Sequence, residues 1–275
     1  MERNARTCTP TADSETSRAN ECFESTSRGA RGEASNGSRY WLANLVFVAL
    51  TRHGAILLDL NRNRYLGVGR AETQALECVI EDWPARSSDF FTPSRRIAEK
   101  KLIDSFWNRG IIRFGPHEPR AIPQTSVRLD GELVAIGDEI DSAAGVYISH
   151  VLIFFHALIA SYLALRFQPI ASVIQRVHAR RAAAIRNGND FDWRRASEFV
   201  SIFRRIRPYA FVAGGHCLLH ALALVRFLAH YDEFPQMVLG VKVDPWGAHS
   251  WVQHGNFLLD TNPEKVCSFT AILAT

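Results

Sequence analysis

Cys217, His249 and Asp260 are the residues of this chain whose types and order suit nucleophilic chemistry. Cys217 follows Gly214, Gly215 and His216 and opens an apolar run in which Leu218, Leu219, Leu222, Val225, Phe227 and Leu228 recur at helical spacing. A cysteine in the first turn of a helix faces unpaired backbone N–H groups and the positive end of the macrodipole, so its thiolate is favoured. The two glycines let the chain turn tightly and admit the backbone of a substrate. Buried helical cysteines are commonly inert, so this feature alone decides little.

The segments after the helix sharpen the reading. QMVLGVKV, AHSWVQ and NFLLD have the texture of strands, with His254 and Gly255 between the last two at hairpin spacing. If those two residues form the loop, Gln253 faces Asn256, Trp251 faces Leu258 and His249 faces Asp260. Directly opposed side chains have Cβ atoms about 4.5–5.5 Å apart, which suits a carboxylate holding an imidazole. An imidazole held in this way beside Cys217 would take the thiol proton and stabilise the thiolate.

Taken separately, His249 reads as a sheet histidine and Asp260 as a turn-capping acid before Thr261-Asn262-Pro263. Taken together behind Cys217, they favour a triad. His220 is an alternative base without an evident carboxylate. A metal site built from His216, Cys217 and His220 with Cys267 or His254 matches no established ligand spacing. No metal or other cofactor is expected, and Cys8, Cys22, Cys78 and Cys267 read as bystanders.

The surrounding chain must position these groups. It has 275 residues, 47% of them apolar, enough for one large or two small domains. Its 32 basic and 28 acidic side chains leave +4, which argues against a dedicated nucleic-acid binder. Five cysteines without a CxxC pair argue against a disulfide framework and a zinc ribbon, so a reducing cytoplasm is the default compartment. The first residues carry no apolar run of the kind found in a cleaved signal peptide.

Residues 1–39 are polar and charged and are expected to be a disordered extension. From residue 40 the runs WLANLVFVAL, AILLDL and RYLGVG predict a three-stranded meander, with Asn61 and Asn63 suited to a tight hairpin. Two helical patterns follow, one ended by Pro84 and one spanning residues 94–109 up to Gly110, before a closing IIRF. This makes residues 40–115 a small winged-helix-like domain. Pro116, Pro119 and Pro123 mark a linker over 116–143.

Residues 142–165 are uncharged and long enough to span a membrane, and are read as a buried helix of a domain over 144–275. Two further helices are arginine-rich on what reads as a solvated face. The fold class is α+β, with helices packed on an antiparallel sheet in the second domain.

Three stretches together resemble the B protein of lasso-peptide biosynthesis, a family of transglutaminase-like cysteine proteases. They are GHCLLHALALVRFLAHYDEFP with Cys217, VLGVKVDPWGAHSWVQ with His249, and FLLDTNPEKVCSFTAIL with Asp260. FVALTRHGAILLDLNRNRYLGVG and the helices after it resemble a PqqD-like RiPP recognition element.

The resemblance implies a transglutaminase/papain-like protease domain fused to a domain that binds the leader of a ribosomal precursor peptide. The leader would add as a strand along Arg64, Tyr65, Leu66, Gly67 and Val68, near the helix of residues 94–109. Cys217, His249 and Asp260 would then cut leader from core, and a separate asparagine-synthetase-like cyclase would close the ring. Two alternatives stand beside this: a transglutaminase-type acyl transferase on the same residues, and a non-catalytic scaffold that binds the precursor. The apolar 142–165 segment leaves membrane association open.

Overall fold

A computed structural model describes residues 6–7, 39–84, 96–124, 127, 132–135, 145–210 and 216–275. In chain order its elements are β1 (Arg6–Thr7), β2 (Arg39–Leu42), β3 (Val46–Thr51), β4 (Gly54–Asp59), β5 (Arg64–Gly69), α1 (Arg70–Val79), α2 (Arg96–Asn108), β6 (Ile112–Gly115) and β7 (Glu132–Ala135). The second half contributes α3 (Ile148–Phe167), α4 (Ile170–Arg186), α5 (Trp193–Ile206), α6 (Cys217–Ala229), β8 (Gln236–Lys242), β9 (Gly247–His254), β10 (Phe257–Leu258), α7 (Pro263–Val266) and β11 (Thr270–Ala274). The result is a mixed α and β architecture with three sheets.

The first apolar run does not form one strand. It breaks at Leu45, whose φ is 65°, so β2 leaves to pair with β6 while β3, β4 and β5 form the meander. Asp59 shapes the β4–β5 turn. Its Oδ1 accepts from the Asn61 and Arg62 backbone N–H groups at 3.0 and 3.2 Å, and Arg62 Nη1 donates to Oδ2 at 2.8 Å. Asn63 takes the positive φ of 50°, whereas Asn61 donates its side-chain amide to Asn44 O instead.

All six residues of β4 are buried because both faces of this sheet are covered. Val46, Val48, Ala55 and Leu57 pack with Leu76 of α1 and Phe106 of α2. Phe47, Ala49, Ile56 and Leu58 join the core of the second half, where β11 packs against β3.

Part of the stretch read as a linker is bound to this sheet. Arg120 Nη1 pairs with Asp82 Oδ2 at 3.0 Å, its Nη2 donates to Val46 O, and its guanidinium lies 5.0 Å over the Phe47 ring. Gln124 Nε2 donates to Val48 O at 2.7 Å. The outer carbonyls of β3 are thereby occupied. Further along, β7 inserts into the second sheet, parallel to β10 and antiparallel to β1. Arg6 and Thr7 therefore lie in a paired strand and Arg39 opens β2, and the rest of the expected disordered extension, residues 1–5 and 8–38, falls outside the described residues.

The six-stranded sheet has the order β1-β7-β10-β9-β8-β11. One face packs against α6 through Leu239, Val241 and Val252; the other carries Val238, Trp251, Leu258 and Val266. Behind α6, Phe154 of α3, Phe203 of α5 and Phe227 of α6 meet at centroid separations of 4.9–6.5 Å. The start of α5 is capped by Asp192, whose side chain accepts from Arg194 N and Arg195 N.

Two expectations are corrected here. The helix over 142–165 is not buried: α3 packs through Phe154, Ala157, Ser161 and Ala164 but exposes Ile148, Leu152, Ile159, Tyr162 and Phe167. It is long and apolar enough to cross a membrane, with 22% of its most apolar window buried. Uniform hydrophobicity carries no phase, so the sequence could not reveal an open face. In addition, Cys267 is disulfide-bonded, against the expectation of a chain without such bonds.

Opposite His249 on β8 stands Gly240, and a Cβ there would lie 2.6 Å from Trp251 Cζ3 and 3.1 Å from Phe269 Cβ. Gly240→Ala is expected to overpack this face and cost about 1–3 kcal/mol, read as a lower urea midpoint with an unchanged slope.

Candidate active site

Cys217 is the first residue of α6, with His216 as the capping position in a non-helical conformation of φ −107° and ψ 39°. Gly214 and Gly215 lie outside the described residues. The thiol points at β9. A hydrogen bond with the His249 side chain is the largest influence on it, burial opposes that, and the Ser250 side chain and backbone add further hydrogen bonds. Together they lower its pKa to about 7. The α6 amino terminus works in the same direction.

His249 is held by rings. Trp251 stacks at 6.1 Å and 25°, and Phe269 lies at 5.4 Å. Its position follows from the antiparallel pairing of β8 and β9, in which His249 lies opposite Gly240 and Trp251 opposite Val238.

Asp260 does not hold His249. The loop between β9 and β10 is Gly255-Asn256 rather than His254-Gly255, so His254 faces Phe257 and Gln253 faces Leu258, one residue away from the expected register. Gly255 takes the positive φ of 55° that the first loop position requires. With the shift, Leu259 N donates to Val252 O, and Asp260 Oδ1 accepts from Val252 N at 2.9 Å. Its other oxygen lies 3.9 Å from Nδ1 of His220, which stands edge-on to Phe203 at 5.6 Å. The carboxylate that the sequence did not show for His220 is therefore Asp260. The structure brings Cys217 to His249 and Asp260 to His220.

The metal alternative loses its members. Cys267 is in a disulfide, and His254 stacks on Phe191 at 3.9 Å. Among the described residues no three His, Cys, Asp or Glu side chains are grouped to hold a metal ion.

The residues expected to bind a leader all lie on β5, which pairs with β4 and is the outer strand of its sheet among the described residues. Leu66 and Val68 turn inward to the apolar cluster, while Arg64, Tyr65 and Gly67 are exposed. The helix packed on β5 is α1, with α2 behind it on α1 and β6. Sequence reasoning did not connect this strand with the thiol. Tyr65 meets Trp246, in the turn before β9, at 5.6 Å, and burial together with the neighbouring Cys217 raises its phenol pKa. Ser250 was also missed, although its place beside His249 on a strand crossing α6 is the available signal.

Residues 156–274 match a family model described as the transglutaminase-like superfamily. This stretch, from within α3 to the end of β11, contains Cys217, His220, His249 and Asp260. The stretch is similar to that superfamily, which is usually enzymatic as cysteine peptidases or acyltransferases. No curated protein and no solved structure matches the chain.

Iodoacetamide alkylation of Cys217 is expected to rise with pH through a midpoint near 7, below the roughly 8.5 of an ordinary thiol. His249→Ala should move that midpoint up, because the largest lowering contact is gone, and Ser250→Ala should move it up by less. An unchanged midpoint in His249→Ala would show that the histidine does not set the thiol.

Proposed function

We propose that this chain is a cysteine peptidase that removes the leader from a ribosomal precursor peptide of the lasso class. The observation that carries the proposal is the Cys217 thiol at the start of α6, held by hydrogen bonds with the His249 side chain and Ser250 that lower it to about 7 against the opposing effect of burial. A thiol at that value is substantially ionised at neutral pH, which is the state that attacks a carbonyl.

In the reaction the Cys217 thiolate adds to the scissile carbonyl, and collapse of the tetrahedral intermediate breaks the C–N bond as the His249 imidazolium protonates the departing amine. Water then adds to the thioester with His249 as base, and the thiolate leaves as the carboxylate forms. The Cys217 backbone N–H, at the helix start, is the nearest candidate donor for the oxyanion. Asp260 acts at one remove: it ties the β9 backbone at Val252 and faces His220.

The edge of β5 supports the peptide half of the reading. An unpaired strand edge accepts an extended peptide through main-chain hydrogen bonds. The other edge of the same sheet, along β3, is occupied by Arg120 and Gln124. The freed core would pass to an asparagine-synthetase-like cyclase, which forms the ring.

The test is mass spectrometry of the chain mixed with the short peptide encoded beside its gene. Two fragments whose masses together equal the substrate plus one water are the expected product. Cys217→Ala should abolish them, and His249→Ala should slow their formation by about 10²–10⁴-fold. Asp260→Asn should slow it less than His249→Ala. A product linked through a new amide would assign acyl transfer instead, and binding unchanged by Cys217→Ala with no product from the wild type would leave a scaffold.

A further inference from the structure

The edge strand and the thiol meet at one tyrosine. Tyr65, the second residue of β5, stands edge-on to Trp246 at 5.6 Å and 71°, and Trp246 lies in the turn that leads into β9 and His249. Its phenol feels the charge of Cys217, so the start of β5 and the nucleophile share one electrostatic neighbourhood. Side chains alternate along a strand, which puts Tyr65 and Gly67 on the same face while Leu66 and Val68 go to the core. At Gly67 nothing lies within 4 Å of the position a Cβ would take. Among the described residues the face of β5 at Gly67 is therefore open.

Direction then follows from geometry. Tyr65, near the start of β5, is the residue that meets Trp246 and feels Cys217, and Gly69 ends the strand about 13 Å further on at some 3.3 Å per residue. A peptide laid antiparallel to β5 enters at the Gly69 end and brings its carboxyl-side residues to Tyr65. A parallel peptide would bring its amino end there and carry every later bond away from the sulfur.

Resting on the peptidase reading, we infer that Tyr65 and Trp246, packed edge-on against each other, form one aromatic ledge over which a peptide held antiparallel on β5 is guided, carboxyl side first, to Cys217. Tyr65 is thus a specificity-determining residue supplied to the site of the second half by the first. Trp246, 56% exposed, is the part of that ledge next to β9. The ledge ties the bond that is cut to a fixed distance from the segment that is held.

Acetylated Thr-Ala repeats ending in a chloromethyl ketone test this without the natural substrate. The Cys217 sulfur displaces chloride to form a thioether, and intact mass reads the rate. Four repeats should label the wild type at least about tenfold faster than one repeat, since the longer peptide adds main-chain hydrogen bonds along the β5 edge. In Tyr65→Ala and in Trp246→Ala that gain, taken as the ratio to each variant's own one-repeat rate, should fall to about twofold or less, while Tyr65→Phe should keep the gain. The same repeats carrying the reactive group as an amino-terminal bromoacetyl should show no gain with length.

Absence of a length gain in the wild type, a gain that survives both alanine variants, or a gain in the bromoacetyl series would each overturn the ledge. The peptidase reading fails separately, on an uncut precursor or on iodoacetamide labelling indifferent to His249.

Discussion

The contact between the Cys217 sulfur and the His249 side chain is the constraint around which the second half is organised. It joins the first residue of α6 to β9, so it exists only if the helix begins at 217 and the sheet holds its register. Burial of the thiol works against ionisation and the hydrogen bonds from His249 and Ser250 work for it; the balance, near 7, is set by side chains on a single strand. Ring packing keeps that strand in place. Trp251 fills the space left by Gly240, its indole donates to Gln253 Oε1 at 2.6 Å, and Gln253 in turn donates to Gly255 O at 3.0 Å. The hydrogen-bonded chain from the core indole to the hairpin loop leaves little freedom for β9 to slide.

Two histidines divide the polar groups between them. His249 has the thiol and His220 has the carboxylate. Asp260 is largely buried and, being ionisable, must find donors. The backbone N–H of Val252 is the one that the observed register offers at 2.9 Å. The carboxylate thus fixes the strand that bears His249 without touching its imidazole.

Much of this was legible in the residues. The start of α6 could be read because Gly-Gly-His precedes an apolar period, and β8 and β9 because alternation is bounded by turns. The hairpin was misplaced by one residue, since His254-Gly255 and Gly255-Asn256 are both acceptable loops and only packing chooses between them. That single step moved Asp260 from His249 to the Val252 backbone. The break at Leu45 had no sequence signal, because a leucine at positive φ goes against its own preference and is held by surroundings. Arg120 and Gln124 looked like linker residues because their partners, the carbonyls of β3, are remote in the chain. Tyr65 was read as part of a binding strand, but its approach to the thiol depends on how the two halves pack.

The closure of β3 by Arg120 and Gln124 has a consequence for assembly. A three-stranded ribbon with vacant rungs on both flanks could propagate, each added strand templating another, as fibrillar aggregates do. Here one flank is plugged by side chains of the same molecule. On the proposed reading only the β5 flank takes an added strand, so growth by stacking of copies ends at a pair joined flank to flank.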